Sequence, residues 1–366
     1  MRKIFKTSAI FLLILTFLLQ NGNTFASGFQ VFGDYTYTVL EDNRVRIESF
    51  NNMYAASVLI PGEIDGKPVG EIGKQAFIHK RNLESVVIPE SVTVVGSQAF
   101  SECLLLKSVT VKGTLASLGS YCFSNCVVLS SINLANTKTI GEKCFYNCGA
   151  LTRIDFGEGL LSIGRDAFVN CTELSVVSFP STLEHIFDYA FSGCLSLLSL
   201  NFPDNLKSLG CSAFNNCSQL SNISFGSGMV SIGDYCFENC PLLVSVTIPP
   251  NVISVGRKAF ALRNDTEFTH TKNFSVTCQK NSHAYDYCRS NGIVPIIKDF
   301  NMLFLVGDLN GNGKIEISDA RTVLRFWVGV DLYTQQQKFY SDFNGSGKLD
   351  INDARGILRT AVGLES

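Results

Sequence analysis

The sequence predicts a repeat solenoid of short parallel strands, joined by turns or short helical connections and followed by a small all-α module. Three observations lead to this fold class: a frame of about 23 residues that recurs nine times, apolar pairs that alternate inside it, and two near-identical acidic loops near the C-terminus. The chain has 366 residues and a net charge of −2. This charge gives no indication of a nucleic acid or an acidic membrane surface as a partner.

Residues 1–26 have the features of a secretory signal peptide. Arg2 and Lys3 precede an apolar run at 10–19, and Thr24, Phe25 and Ala26 offer a small-residue cleavage site. The run is too short for a membrane span, and the rest of the chain has no other candidate. We therefore expect an exported protein without a membrane span.

The repeated frame reads IGxxAFxxCxxLxxVxΦ, in which Φ is apolar, and it extends over residues 72–260. Its step is 23 residues except for one step of 22, a regularity that indicates stacked repeats. Apolar pairs such as Val86 and Ile88 alternate with polar residues, which predicts a short strand. One repeat cannot cover its own apolar face, so neighbours must stack into a continuous core. The frame's phenylalanine recurs at positions 77, 100, 123, 145, 168, 191, 214, 237 and 260.

The flanking segments are expected to cap the solenoid. In the N-terminal cap, residues 27–71, the stretch 35–47 alternates like a hairpin. In the C-terminal cap, residues 261–298, the stretch 274–278 predicts a closing strand and 282–292 a short helix. The period, the LxxΦxΦ strand and the AFxxC turn resemble BspA-type leucine-rich repeats. That resemblance implies a bacterial surface or secreted protein that binds another macromolecule.

Thirteen cysteines suggest disulfides in an exported chain, but their positions follow the repeat. Equivalent positions in stacked repeats have parallel Cβ vectors, so we expect buried reduced thiols. Zinc bound by the CxxxC pairs is the alternative, although the repeat register already explains their spacing. If one bridge forms, we expect it between Cys278 and Cys288. The CxxxC pairs are Cys122 with Cys126 and Cys144 with Cys148.

Residues 308–319 and 342–353 are near-copies of each other. Each segment has oxygen-bearing side chains at positions 1, 3, 5, 9 and 12 and glycine at position 6, the pattern of a calcium loop. The frame DARxxLRxxVG follows each loop with helical periodicity, and the preceding stretch is too short for the entering helix of an EF-hand. The apolar residues at helical spacing are Val323, Leu324, Trp327 and Val328, and then Ile357, Leu358, Ala361 and Val362.

Duplicated units of this kind resemble the type I dockerin, the module that plugs secreted proteins into cohesin domains of polysaccharide-degrading complexes. The resemblance covers about residues 305–366, within a module that we bound at residues 299–366, and it implies two Ca²⁺ ions. Ser346 replaces the usual Asp or Asn, so we expect the second ion to bind more weakly. The implied side-chain ligands are Asp308, Asn310, Asn312 and Asp319, then Asp342, Asn344, Ser346 and Asp353. Lys314 and Lys348 are implied to bind through carbonyls, and Glu316 and Asp350 through water.

The resemblance also implies a cohesin-binding surface at loop positions 10 and 11 and on the following helix. Isoleucine at position 10, where many dockerins have Ser or Thr, leaves the cohesin type open. A calcium-stapled helical pair without a partner is the alternative. Together with the signal peptide, the module implies an extracellular protein held in a cell-surface complex by a cohesin. The implied contact residues are Ile317, Ser318, Arg325, Ile351, Asn352 and Arg359.

The sequence contains no catalytic motif. Its four histidines are scattered, and HExxH, GxSxG and glycine-rich phosphate loops are missing. Acidic residues such as Glu158 and Asp166 lie in turns, where solvation explains them. We therefore expect a secreted non-catalytic adaptor, not an enzyme, whose solenoid binds an unidentified macromolecule. The alternative is a dockerin-borne hydrolase acting in polysaccharide breakdown, or a protease inhibitor.

Two surfaces of the solenoid are candidates for binding. The expected concave strand face has hydroxyls, amides and one charged pair, Arg153 and Asp155, but no aromatic ring. Sugars usually stack on aromatic rings and protein hot spots favour Trp, Tyr and Arg, so this face indicates no particular ligand. A merely solvated strand face is equally compatible with these residues. The alternative contact strip consists of the turn residues Tyr121, Tyr146, Tyr189 and Tyr235.

Overall fold

The computed structural model describes residues 28–135, 137–263, 268–270, 274–298, 309, 315–328 and 350–362. Each described repeat contributes two short strands, and equivalent strands of successive repeats run parallel in two ladders, of which the first is divided into four sheets. Turns connect the strands of these repeats. The predicted repeat solenoid is thereby confirmed, and the C-terminal module contains two helices, Ile317–Trp327 and Ile351–Ala361.

The first ladder consists of the strands that the alternating apolar pairs predict. It begins in the N-terminal cap with β4, Ser57–Leu59, which pairs in parallel with the first repeat strand. Apolar side chains such as Val86 point inward and polar side chains point outward. The repeat strands are β7 Ser85–Ile88, β9 Ser108–Val111, β11 Ser131–Ile132, β13 Arg153–Asp155, β15 Val176–Ser178, β17 Ser199–Asn201, β19 Asn222–Ser224 and β21 Ser245–Thr247.

The second ladder lies at the Ile-Gly start of each frame, and sequence analysis missed it. Its strands form the continuous part of a 13-stranded sheet. Most have only two residues, which is too short for a period-two pattern to appear in the sequence. They are β6 Lys67–Ile72, β8 Val94–Val95, β10 Ser117–Leu118, β12 Thr139–Ile140, β14 Ser162–Ile163, β16 His185–Ile186, β18 Ser208–Leu209, β20 Ser231–Ile232 and β22 Ser254–Val255.

Both caps contain the elements that the sequence predicts. In the N-terminal cap, Tyr35–Val39 (β2) and Val45–Phe50 (β3) form the predicted antiparallel hairpin. In the C-terminal cap, the predicted strand is Ser275–Cys278 (β25) and the predicted helix is His283–Ser290, whose N-cap Ser282 accepts from Tyr285 N–H at 3.2 Å. The remaining strands are β1 Gln30–Phe32, β5 Glu63–Ile64, β23 Leu262–Arg263, β24 Phe268–Thr269 and β26 Ile296–Ile297.

The frame's phenylalanines form a continuous stack through the core. From Phe77 to Phe260 every ring is buried, and neighbouring ring centroids lie 4.9–5.4 Å apart in nearly parallel planes. The spacing is close to the separation of hydrogen-bonded strands, roughly 4.8 Å, so the ladders set the distance between rings. The predicted phenylalanine core is confirmed.

The turn between the two strands of a repeat contains two residues with positive φ. At the second of these positions asparagine predominates, because its short side chain tolerates the left-handed conformation. The asparagines also bond to one another: Asn147 Nδ2 donates to Asn125 Oδ1 at 2.9 Å, and Asn170 Nδ2 donates to Asn147 Oδ1 at 3.0 Å. Gly193 occupies this position in the next repeat and provides no amide to continue this asparagine ladder.

Candidate functional site

The two C-terminal helices pack against each other through small and branched apolar side chains. Each helix begins at the tenth position of its acidic loop. The helical periodicity therefore predicted both helices correctly. The buried cluster between them consists of Ala320, Val323, Ala354 and Ile357, against which Leu309 and Ile315 pack.

Each helix has a buried carboxylate in its first turn. Asp319 is 1% exposed and Asp353 is fully buried. Asp319 Oδ2 accepts from Glu316 N–H at 2.8 Å, and Asp353 Oδ2 accepts from Asp350 N–H at the same distance. Both backbone N–H groups belong to the residue that precedes the helix, so each carboxylate helps to cap its own helix. The two copies are built alike here.

The other carboxylate oxygen of Asp319 joins the two ends of its loop. Leu309 N–H, at the second loop position, donates to Asp319 Oδ1 at 3.0 Å. Position 12 is thereby held beside the start of the loop. A buried ionised carboxylate needs a compensating partner, and carboxylate oxygen is a preferred ligand of Ca²⁺. The described part of the first loop therefore fits a calcium site.

Only four of the predicted calcium ligands are described by the structure. Glu316 and Asp350 flank the helix starts, and Asp319 and Asp353 lie in the first turns. Asp350 Oδ1 also accepts from Asn352 N–H at 2.7 Å. The predicted ligands that lie outside the described residues are Asp308, Asn310, Asn312, Lys314, Asp342, Asn344, Ser346 and Lys348.

The six residues predicted to contact cohesin are all exposed on the helix pair. Ile317, for example, is 61% exposed although it is apolar. Residues 7 and 11 positions further on share its helix face, and these are also exposed and apolar. We call the two resulting sets the docking stripes. They consist of Ile317, Leu324 and the C-cap residue Val328 for the first helix, and Ile351, Leu358 and the C-cap residue Val362 for the second.

The docking stripes change the interpretation of the helical periodicity. Of the apolar residues that predicted the helices, only Val323 and Ile357 are fully buried. Trp327 is among those that remain exposed, and the rest of the interhelical core comes from Ala320 and Ala354. Sequence reasoning missed Leu324 and Leu358 as surface residues, because an apolar residue at helical spacing is usually taken as core.

The polar strand face of the first ladder is exposed or half-buried. Its charged pair is internally satisfied, since Arg153 donates two hydrogen bonds to Asp155, at 2.5 and 2.8 Å. The bonds lower the pKa of Asp155 and raise the pKa of Arg153. A shallow hollow of about 590 Å³ lies beside the pair and is lined by polar groups such as Thr110 and Asn133. This face has no aromatic side chain for a ligand to stack on.

Twelve cysteines are buried, as predicted, and Cys211 is exposed; all thirteen are free thiols in the structure. The frame's cysteines do more than fill space. Each thiol donates to the phenylalanine carbonyl of the preceding repeat at 3.1–3.4 Å, as Cys126 does to Phe100. In the C-terminal cap, Cys278 and Cys288 are buried free thiols, so the bridge considered for them is not formed in the structure.

Within the described ranges, no three His, Cys, Asp or Glu side chains converge as a metal-binding group. The histidines lie apart: His79 contacts Glu102 at 3.0 Å, whereas His185 contacts Ser208 at 2.7 Å. In the same part of the chain, no helix is both long and apolar enough to cross a membrane.

The fold and the helix pair define a leucine-rich repeat solenoid that carries a C-terminal docking module. The chain belongs to the BspA-type leucine-rich repeat family, because the family model, described as a BspA type leucine rich repeat region (6 copies), matches residues 70–196 and 138–267, which together make up more than half of its length. A dockerin type I domain matches residues 306–359, which identifies the C-terminal module.

Two solved structures have a similar solenoid. A leucine-rich cell surface protein from Faecalibacterium prausnitzii is 26% identical, with a TM-score of 0.56 over 64% of this chain and 74% of that one. A leucine-rich repeat protein from Bacteroides ovatus is 27% identical, with a TM-score of 0.57 over 69% of this chain and 66% of that one. No curated protein matches the chain.

Proposed function

We propose that the protein is a secreted, non-catalytic adaptor. The dockerin binds two Ca²⁺ ions and docks to a cohesin on the scaffold of a polysaccharide-degrading complex, while the solenoid binds a macromolecule. The observation that carries the proposal is the helix pair, in which Asp319 and Asp353 are buried beside their loops and the docking stripes are exposed. Apolar side chains on a small calcium-stapled module have little reason to face water unless a partner covers them.

Each calcium site would combine ligands at the start of its helix with ligands from the preceding part of its loop. Asp319 and Asp353 would provide carboxylate ligands at position 12, with Glu316 and Asp350 acting through water. Side chains of the remaining loop residues would complete each site: Asp308, Asn310 and Asn312 in the first loop, and Asp342, Asn344 and Ser346 in the second. Lys314 and Lys348 would contribute carbonyls. Calcium stabilises the folded loops because it binds the assembled ligand set and not the unfolded chain.

Docking would place the two stripes against the cohesin. Ile317 and Ile351 would occupy position 10 with Ser318 and Asn352 beside them, and each stripe adds a leucine from the next turns of its helix. Arg325 and Arg359 are exposed next to these leucines and would form the polar rim. The stripes are apolar, so we expect their removal to weaken docking without releasing calcium.

The test uses the full chain and a panel of cohesins, with capture measured in calcium and in chelator. Native mass spectrometry is expected to count two calcium ions. Asp319→Ala combined with Asp353→Ala should abolish calcium binding and capture together. Leu324→Ala combined with Leu358→Ala is the matched variant, and it should retain both ions while losing capture. If the calcium-loaded protein is captured by no cohesin, the adaptor proposal fails.

A further inference from the structure

One repeat departs from the frame on its exposed surface. In the second ladder the residue after the final apolar strand position is glycine in the other repeats, but in one repeat it is Phe187. Glycine is needed there because neighbouring repeats approach closely: a Cβ at Gly210 would lie 2.4 Å from Asp188 N. The Phe187 N–H donates to Ile163 O at 3.1 Å, whereas Gly210 and Gly233 make the equivalent bond at 2.8 and 2.9 Å. A side chain at this position therefore requires the neighbouring repeats to adjust.

The side chain of Phe187 gains little packing against the solenoid at this position. Its side chain is 49% exposed, and the equivalent residues on either side are Gly164 and Gly210. A residue that breaks a local rule without a structural compensation is a candidate for function. The same repeat also exposes two more ring side chains, at alternate positions along the chain.

The three rings of this repeat, His185, Phe187 and Tyr189, form what we call the aromatic platform. The rings of His185 and Phe187 lie 6.2 Å apart with 22° between their planes. A contact of 2.7 Å between His185 Nδ1 and Ser208 Oγ fixes the orientation of the imidazole. Tyr189 follows at a φ of 57° and is 40% exposed. A ring that is held in place before binding loses less entropy when a ligand stacks on it.

Tyr189 also differs from equivalent tyrosines in other repeats. Lys143 lies 5.4 Å above the ring of Tyr121, and Arg257 lies 5.2 Å above the ring of Tyr235, so a cation from the following repeat covers each of these rings. At Tyr189 the residues of the next repeat that correspond to Arg257 and Lys143 are Cys211 and Ser212, and neither is a cation. The tyrosine of the platform therefore keeps an accessible face.

A hollow with a mixed apolar and polar lining begins in the same turn, four residues beyond Tyr189. Gly193 interrupts the asparagine ladder, and Asn170 Oδ1 lies 2.5 Å from the point where a Cβ of Gly193 would be. The hollow has a volume of about 560 Å³. Amides and hydroxyls that can donate and accept hydrogen bonds line it together with apolar groups. The polar lining residues are Asn170, Thr172, Asn216, Ser218 and Asn239.

The charges around the platform exclude several classes of ligand. Lys207, the basic residue in the adjoining strand region, is bonded to Glu184 at 2.7 Å, and Asp188 lies within the platform segment. An acidic or balanced surface does not attract phosphodiesters or acidic polymers. The platform is bordered by glycine and serine, so it lacks the apolar groove that a peptide helix needs. Exposed rings next to a hydroxyl, as at His185 and Ser208, suit a neutral sugar, whose apolar face stacks and whose hydroxyls form hydrogen bonds.

We propose that the repeat at 185–208 binds a neutral polysaccharide, with sugar rings stacked on Phe187 and Tyr189. This inference gives the ligand class and location for the macromolecule-binding role proposed above, and it rests on that role. It does not depend on cohesin docking. The binding surface thereby moves from the strand face of the first ladder to the second ladder and its turn.

Affinity electrophoresis of the full chain tests this inference, with gels that contain hydroxyethyl cellulose, arabinoxylan, galactomannan or mixed-linkage β-glucan. We expect retardation in at least one gel. Phe187→Gly restores the frame's own glycine, so it should fold normally while the apparent Kd rises about tenfold, and Tyr189→Ala should weaken binding similarly. Tyr121→Ala is the matched control, because Lys143 already covers that ring, and it should bind as the unmodified protein does.

Three outcomes would overturn the inference. Absence of retardation in all four gels is the first, and equal binding by the Phe187→Gly variant is the second. The third is concentration-dependent self-association in sedimentation that Phe187→Gly removes, which would assign the platform to a second copy of the chain. Cohesin capture measured on the same samples separates these failures from a failure of the adaptor proposal, since it uses only the dockerin.

Discussion

The thiol of Cys171 donates a hydrogen bond of 3.2 Å to the carbonyl oxygen of Phe145 in the preceding repeat. That oxygen also accepts from Cys148 N–H at 3.2 Å, so the thiol fills its second acceptor site. The same relationship recurs at each frame cysteine and ties each repeat to the one before it. The recurrence of cysteine therefore has a hydrogen-bonding reason in addition to its small volume.

Replacement of Cys171 tests whether the thiol acts as a donor. Cys171→Ala removes the donor and leaves a small void, so we expect a loss of about 1–2 kcal/mol in the free energy of unfolding. Cys171→Ser keeps a hydroxyl donor and should cost less. Urea unfolding followed by circular dichroism measures both. If serine proves more damaging than alanine, the thiol serves only as an apolar filler.

The buried thiols also predict instability in alkali. Burial raises the pKa of Cys171 well above its ordinary value near 9, and raises the pKa of Cys103 to about 12. Above pH 9 the unfolded chain therefore loses thiol protons that the folded chain retains, and stability falls as pH rises toward the folded pKa. Between its unfolded and folded pKa values, each such thiol lowers the free energy of unfolding by about 1.4 kcal/mol per pH unit. Urea midpoints with a phosphine reductant should fall steeply above about pH 9, and less steeply in Cys171→Ala; equal slopes would contradict this account.

Much of the solenoid could be predicted because the apolar residues that form its core recur at the same positions of every repeat. The buried stack from Phe77 to Phe260 and the strands of the first ladder follow from spacing and alternation alone. The second ladder could not be predicted in this way, since strands such as Ser117–Leu118 are too short to alternate. Its position is set by the close approach of backbones at the frame's glycines, a tertiary contact that local sequence does not reveal.

The candidate sites were predicted less completely. The acidic loops indicated Asp319 and Asp353, and the structure adds that both are buried at helix starts. The exposure of Leu324 depends on which face of the helix meets its partner, which periodicity cannot decide. Phe187 is visible in the sequence as the one residue that replaces the frame's glycine. A repeated frame draws attention to the positions that recur, which form the core, and not to a single position that departs from it.

The gap in the asparagine ladder predicts opposite effects for two substitutions of one glycine. Gly193 has a φ of 74°, which asparagine tolerates and alanine does not. Gly193→Asn should add an amide next to Asn170 and stabilise the fold by about 0.5–1 kcal/mol, provided that the flexible Asn170 side chain shifts. Gly193→Ala should destabilise it by about 1 kcal/mol. Thermal and urea unfolding rank the stabilities of the two variants. If Gly193→Ala is more stable than Gly193→Asn, the asparagine ladder does not stabilise the fold.

The close approach of repeats at the second ladder predicts which glycines tolerate a methyl group. A Cβ at Gly210 would lie 2.4 Å from Asp188 N and 2.5 Å from Phe187 C, and both are backbone atoms that cannot move alone. Gly210→Ala should therefore destabilise the solenoid by about 1–3 kcal/mol. Gly149→Ala is the matched control, because its nearest neighbour would be Thr172 Oγ1 at 3.5 Å, an ordinary contact, and its effect should stay within about 0.5 kcal/mol. Equal urea midpoints for the two variants would mean that the ladder adjusts to a side chain at any repeat, and Phe187 would then carry no structural cost that calls for a function.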